Sequence, residues 1–423
     1  MSSLTSPRAK LISGPKNFRS SAKIDFFNTT GTFRTYRRII SVVLAALSSG
    51  TRLTLFANGT NLIVDCSFCA ATLLGLSGFR ARQNEVQTMT AAQFKTHSQR
   101  SLAHKGRTIA QAHPYVVAAA ATVGALAISA LVNRRLAKSA ENDNPPAGQF
   151  LEVNGVRLHY VERGSGAPLV LLHGNGSMIQ DFESSGLIDL AAKNYRVIVF
   201  DRPGFGHSDR PRNVVWTPAA QAELINSALH RLGVSHAIVL GHSRGASVAV
   251  ALALKYPTLV QGLVLASGYY YPTLRPDVVA LSAPAVPLVG DILGHTLSPI
   301  VSRVMWPLVM AKIFGPRSVP RKFEGFPKEM ALRPSQIRAS AAESALMIPD
   351  AFHYRDKYTN LKMPVVIVAG DEDRLVDIDA QSTRLHRDVP QSKFHRVPGT
   401  GHMIHQTATG VVMSAINEVA EDR

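Results

Sequence analysis

Five short apolar runs constrain this chain more than anything else in it: "PLVLL" (168–172), "YRVIVF" (195–200), "HAIVLG" (236–241), "VQGLVLA" (260–266) and "MPVVIVAG" (363–370). Each is too short to cross a membrane as a helix. They lack the polar alternation of a half-exposed strand, so each reads as a strand covered on both faces, the situation inside a parallel sheet. Helical stretches separate them. "TPAAQAELINSALHRLG" (217–233) has Pro near its start and Gly at its end, the usual punctuation of a helix. Ahead of them, "FLEVNGVRLHYVERGSG" (150–166) holds two alternating runs joined by Asn-Gly, a hairpin signal. The expected fold class is α/β, a doubly wound and mostly parallel sheet. Residues 269–350 break the rhythm with prolines and exposed-looking aromatics ("YYYPTLRPD", "VMWPLVMAKIFGP", "FEGFPKEM"), and are expected to form a helical cap over the carboxyl ends of the strands.

The formal charge of +17 is spread unevenly. Residues 1–140 carry 18 Lys and Arg against three acids (Asp25, Asp65, Glu85), whereas residues 141–423 carry 28 against 26. Basic character therefore belongs to an N-terminal extension, residues 1–140, and says little about the substrate. Its basic residues are scattered among apolar stretches with no nucleic-acid-binding module. Attraction to an anionic membrane surface is the expected use of that charge, and no nucleic-acid partner is expected. Residues 1–38 read as a transit-like presequence or a basic tail. Apolar stretches follow at 39–56, 62–79 and 115–132, the first two interrupted by Arg52 and Asp65. The third, "YVVAAAATVGALAISALV", has the length of a span and no charge, with basic residues on both sides. It is a candidate membrane helix, spanning or membrane-lying; a helix packed against protein is the alternative. The expected location is membrane-associated, and otherwise cytoplasmic. Met89 is a candidate true start, which would remove residues 1–88 from the mature protein. Cys66 and Cys69 are the only cysteines. Without a second ligand pair or a surrounding βαβ pattern they are read as small apolar residues rather than a zinc or redox site. "SAENDNPPAGQF" (139–150) reads as a linker between the extension and the strand-rich remainder of the chain.

Chemistry enters at "VLGHSRGA" (239–246). Gly241, His242, Ser243, Arg244 and Gly245 fill the pattern G-x-S-x-G between an apolar strand and the good helix "ASVAVALALKY". A serine on a sharp strand-to-helix turn needs small neighbours, which Gly241 and Gly245 supply. The turn also offers orphan N–H groups of a helix start to a developing anion. A serine hydroxyl needs a base, and the base an orienting acid. Asp371, Asp373 and Asp377 follow a later strand, and His402 and His405 stand in a loop before the final helix, so the chain order is Ser, Asp, His. His207 and His242 read as structural, and the Arg244 side chain is expected at the surface.

Over residues 150–423 the chain resembles the α/β-hydrolase superfamily, through "HGNG" (173–176), "FDRPGFGHSDRP" (200–211), "GHSRG" (241–245), "GDED" (370–373) and "GTGH" (399–402). The resemblance implies a serine-nucleophile, esterase- or lipase-like branch, with Asp373 as the acid and His402 as the base. It also implies an oxyanion hole built from the backbone N–H groups of Asn175 and Arg244, supported by His173, Gly174, Gly176, Gly241 and Gly245. The implied organisation is a core in two parts, 141–268 and 351–423, around the 269–350 cap, with no cofactor and no metal. A serine rather than an aspartate at the nucleophile position points to acyl transfer. The expected function is hydrolysis of a carboxylic ester of a moderately apolar small molecule or lipid. The alternatives are carbon–carbon bond hydrolysis or a cofactor-free perhydrolase reaction on the same three residues and, in a different class, a catalytically inactive membrane-anchored binding protein.

Overall fold

The computed structural model describes residues 114–422 and, within the first 113 residues, the backbone of three strands, Ser21–Asp25, Arg52–Ala57 and Thr60–Val64. These three pair in one small sheet, the first two parallel and the last two antiparallel. Cys66, Cys69, Met89 and the basic flank at Lys105 and Arg107 lie outside the described residues.

A long helix, α1 (Pro114–Asp143), comes first in the rest of the chain. It contains the 115–132 apolar stretch and runs past Ser139, where a linker was expected. Its last turns are held by protein: Ala140 is buried, and Glu141 pairs with Arg333 at 2.6 Å. The linker shrinks to the residues between Asp143 and Gln149.

Eight strands follow: β1 (Gln149–Val153), β2 (Val156–Arg163), β3 (Ala167–Leu172), β4 (Tyr195–Phe200), β5 (Ala237–His242), β6 (Val260–Ala266), β7 (Val365–Gly370) and β8 (Lys393–Val397). Their order across the sheet is β8-β7-β6-β5-β3-β4-β2-β1. The β1–β2 and β2–β4 pairs are antiparallel and the others parallel. The β1–β2 hairpin turns at Asn154 and Gly155, with φ of 52° and 75°. Positive φ at both central residues defines the tight turn that Asn-Gly favours, and it fixes Val153 opposite Val156.

The central strands are buried on both faces. One core cluster contains Leu172, Val239 and Leu265 with α3 (Pro218–Arg231) and α4 (Arg244–Lys255); another contains Leu171, Leu240 and Val264 with α11 (Thr409–Glu421) and α2 (Ile179–Ser185). Helix α3 starts where its sequence says it should: the Thr217 hydroxyl accepts the Ala220 N–H at 3.2 Å, and Pro218 occupies the first turn.

Between β6 and β7 the chain leaves the sheet as a cap. Its helices are α5 (Pro276–Leu281), α6 (Val289–His295), α7 (Leu297–Phe314), α8 (Lys328–Ala331) and α9 (Pro334–Tyr354). Of the aromatics that look exposed in the sequence, Tyr269, Tyr270 and Tyr271 are buried. Gln381 Oε1 accepts the N–H groups of Tyr270 and Tyr271, so this stretch still belongs to the core. Further on, Phe314, Phe323 and Phe326 form a cluster with Met178 and Met403, between the cap and the loops of the sheet edge.

Helix α4 approaches the sheet so closely that a Cβ on Gly245 would lie 2.1 Å from the Leu172 carbonyl oxygen. Since neither backbone can yield alone, Gly245→Ala is expected to destabilise the fold by about 3 kcal/mol, measured as a fall in the urea unfolding midpoint. Gly155→Ala has open space around its Cβ and should cost only about 1 kcal/mol, from the left-handed backbone.

Candidate active site

Strand β5 ends at His242 and α4 begins at Arg244, leaving Ser243 alone on the turn with φ 52° and ψ −117°. This is a left-handed backbone that a residue with a Cβ adopts only under constraint. The Ser243 N–H donates to the Ala266 carbonyl at 2.8 Å, which fixes the turn to β6. A Cβ on Gly241 would meet the Gly245 carbonyl oxygen at 2.4 Å and the Ala246 N at 2.6 Å. The turn is therefore closed around its two glycines, and the serine side chain is left half-buried at the edge of the sheet.

The loop after β8 brings His402 to it. Ser243 Oγ and His402 Nε2 are 2.9 Å apart, and His402 Nδ1 lies 2.7 Å from Asp373 Oδ2. Because a carboxylate only accepts, Nδ1 carries the proton and Nε2 is free to accept the serine hydroxyl. The other Asp373 oxygen accepts the N–H groups of Leu375 and Val376 at 2.8 and 3.0 Å, which orients the carboxylate. The remaining candidates go elsewhere. Asp371 accepts the Gly399 N–H at 2.8 Å and so braces the histidine loop; Asp377 is exposed and accepts the Ala380 N–H.

His405 lies in the first turn of α10 (Ile404–Thr407), fully buried, with Nε2 donating to Asp181 Oδ1 at 2.9 Å. Its ring lies 4.3 Å from that of His242, whose Nε2–H donates to the His402 carbonyl at 3.1 Å. Burial and the two neighbouring histidines hold His242 well below its ordinary range, so it is neutral. His405 and its bonded neighbours hold the Asp181 carboxyl down despite burial. Among the described residues, Asp181, His242 and His405 are the one group close enough to share a metal ion. The carboxylate is already saturated: it also accepts from Ser177 Oγ and Gln406 Nε2. This group reads as a brace between the serine turn and the histidine loop. Asp181 was missed in the sequence because nothing in its helix marks it as different from a surface acid.

"HGNG" follows β3 and lies against the serine. A Cβ on Gly174 would come within 3.2 Å of Ser243 Cβ, and Gly176 has φ 71°. His173 is buried, accepting the Arg202 N–H at Nε2 (2.9 Å) and donating from Nδ1 to the Gly174 carbonyl (2.8 Å). The Asn175 side chain donates to the Ser340 carbonyl and to Ser344 Oγ of α9. Arg244 opens α4, so its N–H has no acceptor within the helix.

Its side chain, expected at the surface, is instead buried and paired with Asp350 of α9. Glu343, two turns earlier on the same face of α9, is fully buried with Arg202 at 2.7 Å, Arg210 at 3.8 Å and Arg244 at 4.0 Å. These three guanidiniums hold Glu343 down to about 2 against the opposing effect of burial. Three core guanidiniums and two carboxylates of α9 thus meet beside the serine turn. No local pattern marks this cluster, whose members stand far apart along the chain.

A profile of the α/β hydrolase fold matches residues 167–409. The chain belongs to the α/β hydrolase fold family. Among relatives in this family, a 2-hydroxy-6-oxononadienedioate/2-hydroxy-6-oxononatrienedioate hydrolase of Paraburkholderia phymatum is 28% identical over 262 residues, covering 58% of this chain and 85% of the relative. A 2-(acetamidomethylene)succinate hydrolase of Mesorhizobium japonicum is 27% identical over 277 residues, covering 63% of this chain and 92% of the relative. Of solved α/β hydrolase structures, a thermophilic esterase from Thermogutta terrifontis superposes with a TM-score of 0.55 at 23% identity, over 65% of this chain and 98% of the esterase. The family is one of hydrolases, and this chain is an α/β hydrolase enzyme.

The buried groups lend themselves to two measurements. Glu343→Gln leaves three buried guanidiniums facing one carboxylate, and is expected to cost about 3–5 kcal/mol in chemical denaturation. His173 is held down to about 4 by burial and by Arg202, against an ordinary value near 6.5. Between those values the unfolded chain binds a proton that the folded one refuses, so stability falls as the pH drops from about 6.5 to about 4. The His173 contribution is on the order of 3 kcal/mol, and a His173→Gln variant should lose that part of the slope across this window.

Proposed function

We propose that this enzyme is a serine hydrolase working by acyl transfer, with Ser243 as nucleophile, His402 as general base and acid, and Asp373 as the group that orients the imidazole. The observation that carries the reading is the unbroken chain of contacts from Ser243 Oγ through His402 to Asp373, at 2.9 and 2.7 Å.

In that mechanism Ser243 Oγ attacks a carbonyl carbon as its proton passes to His402 Nε2. The carbonyl oxygen becomes an anion, received by the backbone N–H groups of Asn175 and Arg244. Collapse expels the leaving group, which takes the proton from His402, and an acyl-Ser243 remains. His402 then removes a proton from water, which attacks the ester; the carboxylic acid leaves and the serine is restored. The chemistry draws only on side chains, backbone and water.

The bond broken is proposed from the relatives. The Paraburkholderia phymatum relative is named for a substrate with a 6-oxo group and no ester or amide, so its hydrolysis must break a carbon–carbon bond. By that likeness we favour hydrolysis of a carbon–carbon bond beside a ketone, the leaving carbon being protonated as its electrons arrive. Ester hydrolysis is the second reading. The solved esterase shares only the fold, but Arg202, Arg210 and Arg244 all face cap carboxylates, which suits an uncharged acyl group better than a dianion. We also propose that α1 is a membrane anchor: none of its apolar stretch 115–132 is buried, most of it is exposed, and it is long and apolar enough to cross a membrane.

The test is a substrate panel on the full chain. A vinylogous 1,5-diketone, followed by loss of its dienol absorbance, is compared with p-nitrophenyl esters of increasing chain length. Ser243→Ala should lower every turnover by roughly 10⁴-fold or more and abolish fluorophosphonate labelling. Retained turnover in that variant would remove Ser243 from the mechanism. Faster turnover of the esters than of the diketone would reverse the choice of bond.

A further inference from the structure

We propose that the outer face of α7, continued onto α6, is a bilayer-docking surface, so that the cap lies against the same membrane that α1 enters. This inference rests on the reading of α1 as a membrane anchor.

A cap helix on a water-facing protein turns its apolar side inward and its polar side out. Helix α7 is apolar on both sides. Pro299, Met310 and Phe314 are buried in the cap. On the opposite side Leu297, Ile300, Val301, Val304, Leu308 and Val309 recur every three or four residues, and all are exposed. Val304 is 72% exposed and Leu308 63%. The stripe continues around the preceding turn through Val289 and Ile292 of α6 and Leu288 just before it. So large a contiguous apolar surface is uncommon on a protein that meets only water. Although α7 is long and apolar enough to cross a membrane, one side of it is packed against protein. It therefore lies along an interface rather than through it.

The position of α1 selects lipid over a protein partner. Ser129 Oγ donates to the Thr296 carbonyl at 2.8 Å, and Asn133 Nδ2 donates to the carbonyls of His295 and Thr296 at 3.0 and 2.8 Å. Thr296 is the junction of α6 and α7, where the exposed stripe starts. Arg303 Nη1 closes the joint by donating to Asn133 Oδ1 at 3.1 Å. Ahead of that joint Tyr115, Val116, Val117, Val123 and Ile128 of α1 are exposed. Two uncovered apolar surfaces, one of span length and one of interfacial type, thus meet at a hydrogen-bonded corner. Exposed basic residues flank both: Arg134, Arg135 and Lys138 beyond the joint on α1, and Lys312 and Arg317 at the far end of α7. That arrangement matches an anionic headgroup layer beside a hydrocarbon layer.

The docked face leads to the chemistry. The Met403 N–H donates to the Ile313 carbonyl in the last turn of α7, at 3.3 Å. A Cβ on Gly401 would meet the Gly315 carbonyl oxygen at 2.0 Å. The end of the lipid-facing helix is therefore in contact with the loop that carries His402, and an apolar substrate held in the bilayer lies next to the site edge.

The experiment uses the full chain with Cys66 and Cys69 replaced by serine and single cysteines introduced as Val123→Cys, Val304→Cys or Glu223→Cys. Each carries a nitrobenzoxadiazole fluorophore and is reconstituted in phosphatidylcholine vesicles containing anionic phosphatidylglycerol, with and without doxyl-labelled phospholipid. Fluorophosphonate labelling of Ser243 reports that each variant is folded. The fluorophores at positions 123 and 304 are expected to emit blue-shifted light and to be quenched by the doxyl lipid, and the one at 223 to behave as in water. Quenching at 123 with a water-like signal at 304 overturns the docking surface and leaves the anchor standing. Water-like signals at both overturn the anchor and the docking surface together. A blue-shifted but unquenched fluorophore at 304 means that protein covers the stripe, and overturns the assignment to lipid.

Discussion

Everything at the site depends on a single residue held where residues of its kind rarely sit. Ser243 has a left-handed backbone at φ 52°, a conformation that costs on the order of 1–3 kcal/mol. The cost is met by the surroundings. Strand β5 arrives between β3 and β6, α4 leaves directly against the Leu172 carbonyl, and the Ala266 carbonyl takes the Ser243 N–H. Relaxing the turn would mean parting a buried helix from a buried sheet. The sheet thus serves as the fixed frame against which one hydroxyl is aimed, and the loops after β3, β7 and β8 supply the groups around it.

How much of this the sequence disclosed depends on how local each determinant is. The strands were legible because a strand covered on both faces has no polar alternation, and "VIVF" or "VVIV" permits little else. The Asn154-Gly155 hairpin and the Thr217 cap were legible because each is decided within four residues. The sharp turn at Ser243 was legible for the same reason. Sequence spacing left three acids and two histidines open; the resemblance chose Asp373 and His402, and the structure brings these two to Ser243. What stayed hidden is long-range. Nothing near Arg244 indicates that Asp350, more than a hundred residues later, will cover it, so its charge looks like a surface charge. Tyr270 and Tyr271 mislead for a similar reason: prolines stand after them, but their N–H groups are claimed by Gln381. The end of α1 is obscured because "SAENDN" is polar, whereas Ala140 and Glu141 are held by partners on α8 and at Arg333.

The cap is joined to the core by buried charge as well as by the apolar cluster around Phe314. Arg202, Arg210 and Arg244 belong to the core and Glu343 and Asp350 to α9; Arg202 and Glu343 are wholly removed from water and the other three largely so. Buried pairs of this kind add little net stability but penalise misalignment severely, since any slip strands a charge. An apolar cap interface would tolerate sliding. This one specifies a register for α9, and with it the positions of Ser340 and Ser344 above Asn175.

The two backbone N–H groups assigned to the oxyanion belong to residues whose side chains both end on that same helix. Asn175 reaches Ser340 and Ser344, and Arg244 reaches Asp350. Caps in folds of this kind look like interchangeable modules, free to be exchanged between family members to alter substrate choice. Here a transplanted cap would arrive without the acceptors for positions 175 and 244, and the recipient would inherit a new pocket above a loosened hole. Any chimera built on this scaffold has to carry residues 340, 343, 344 and 350 along with its new roof.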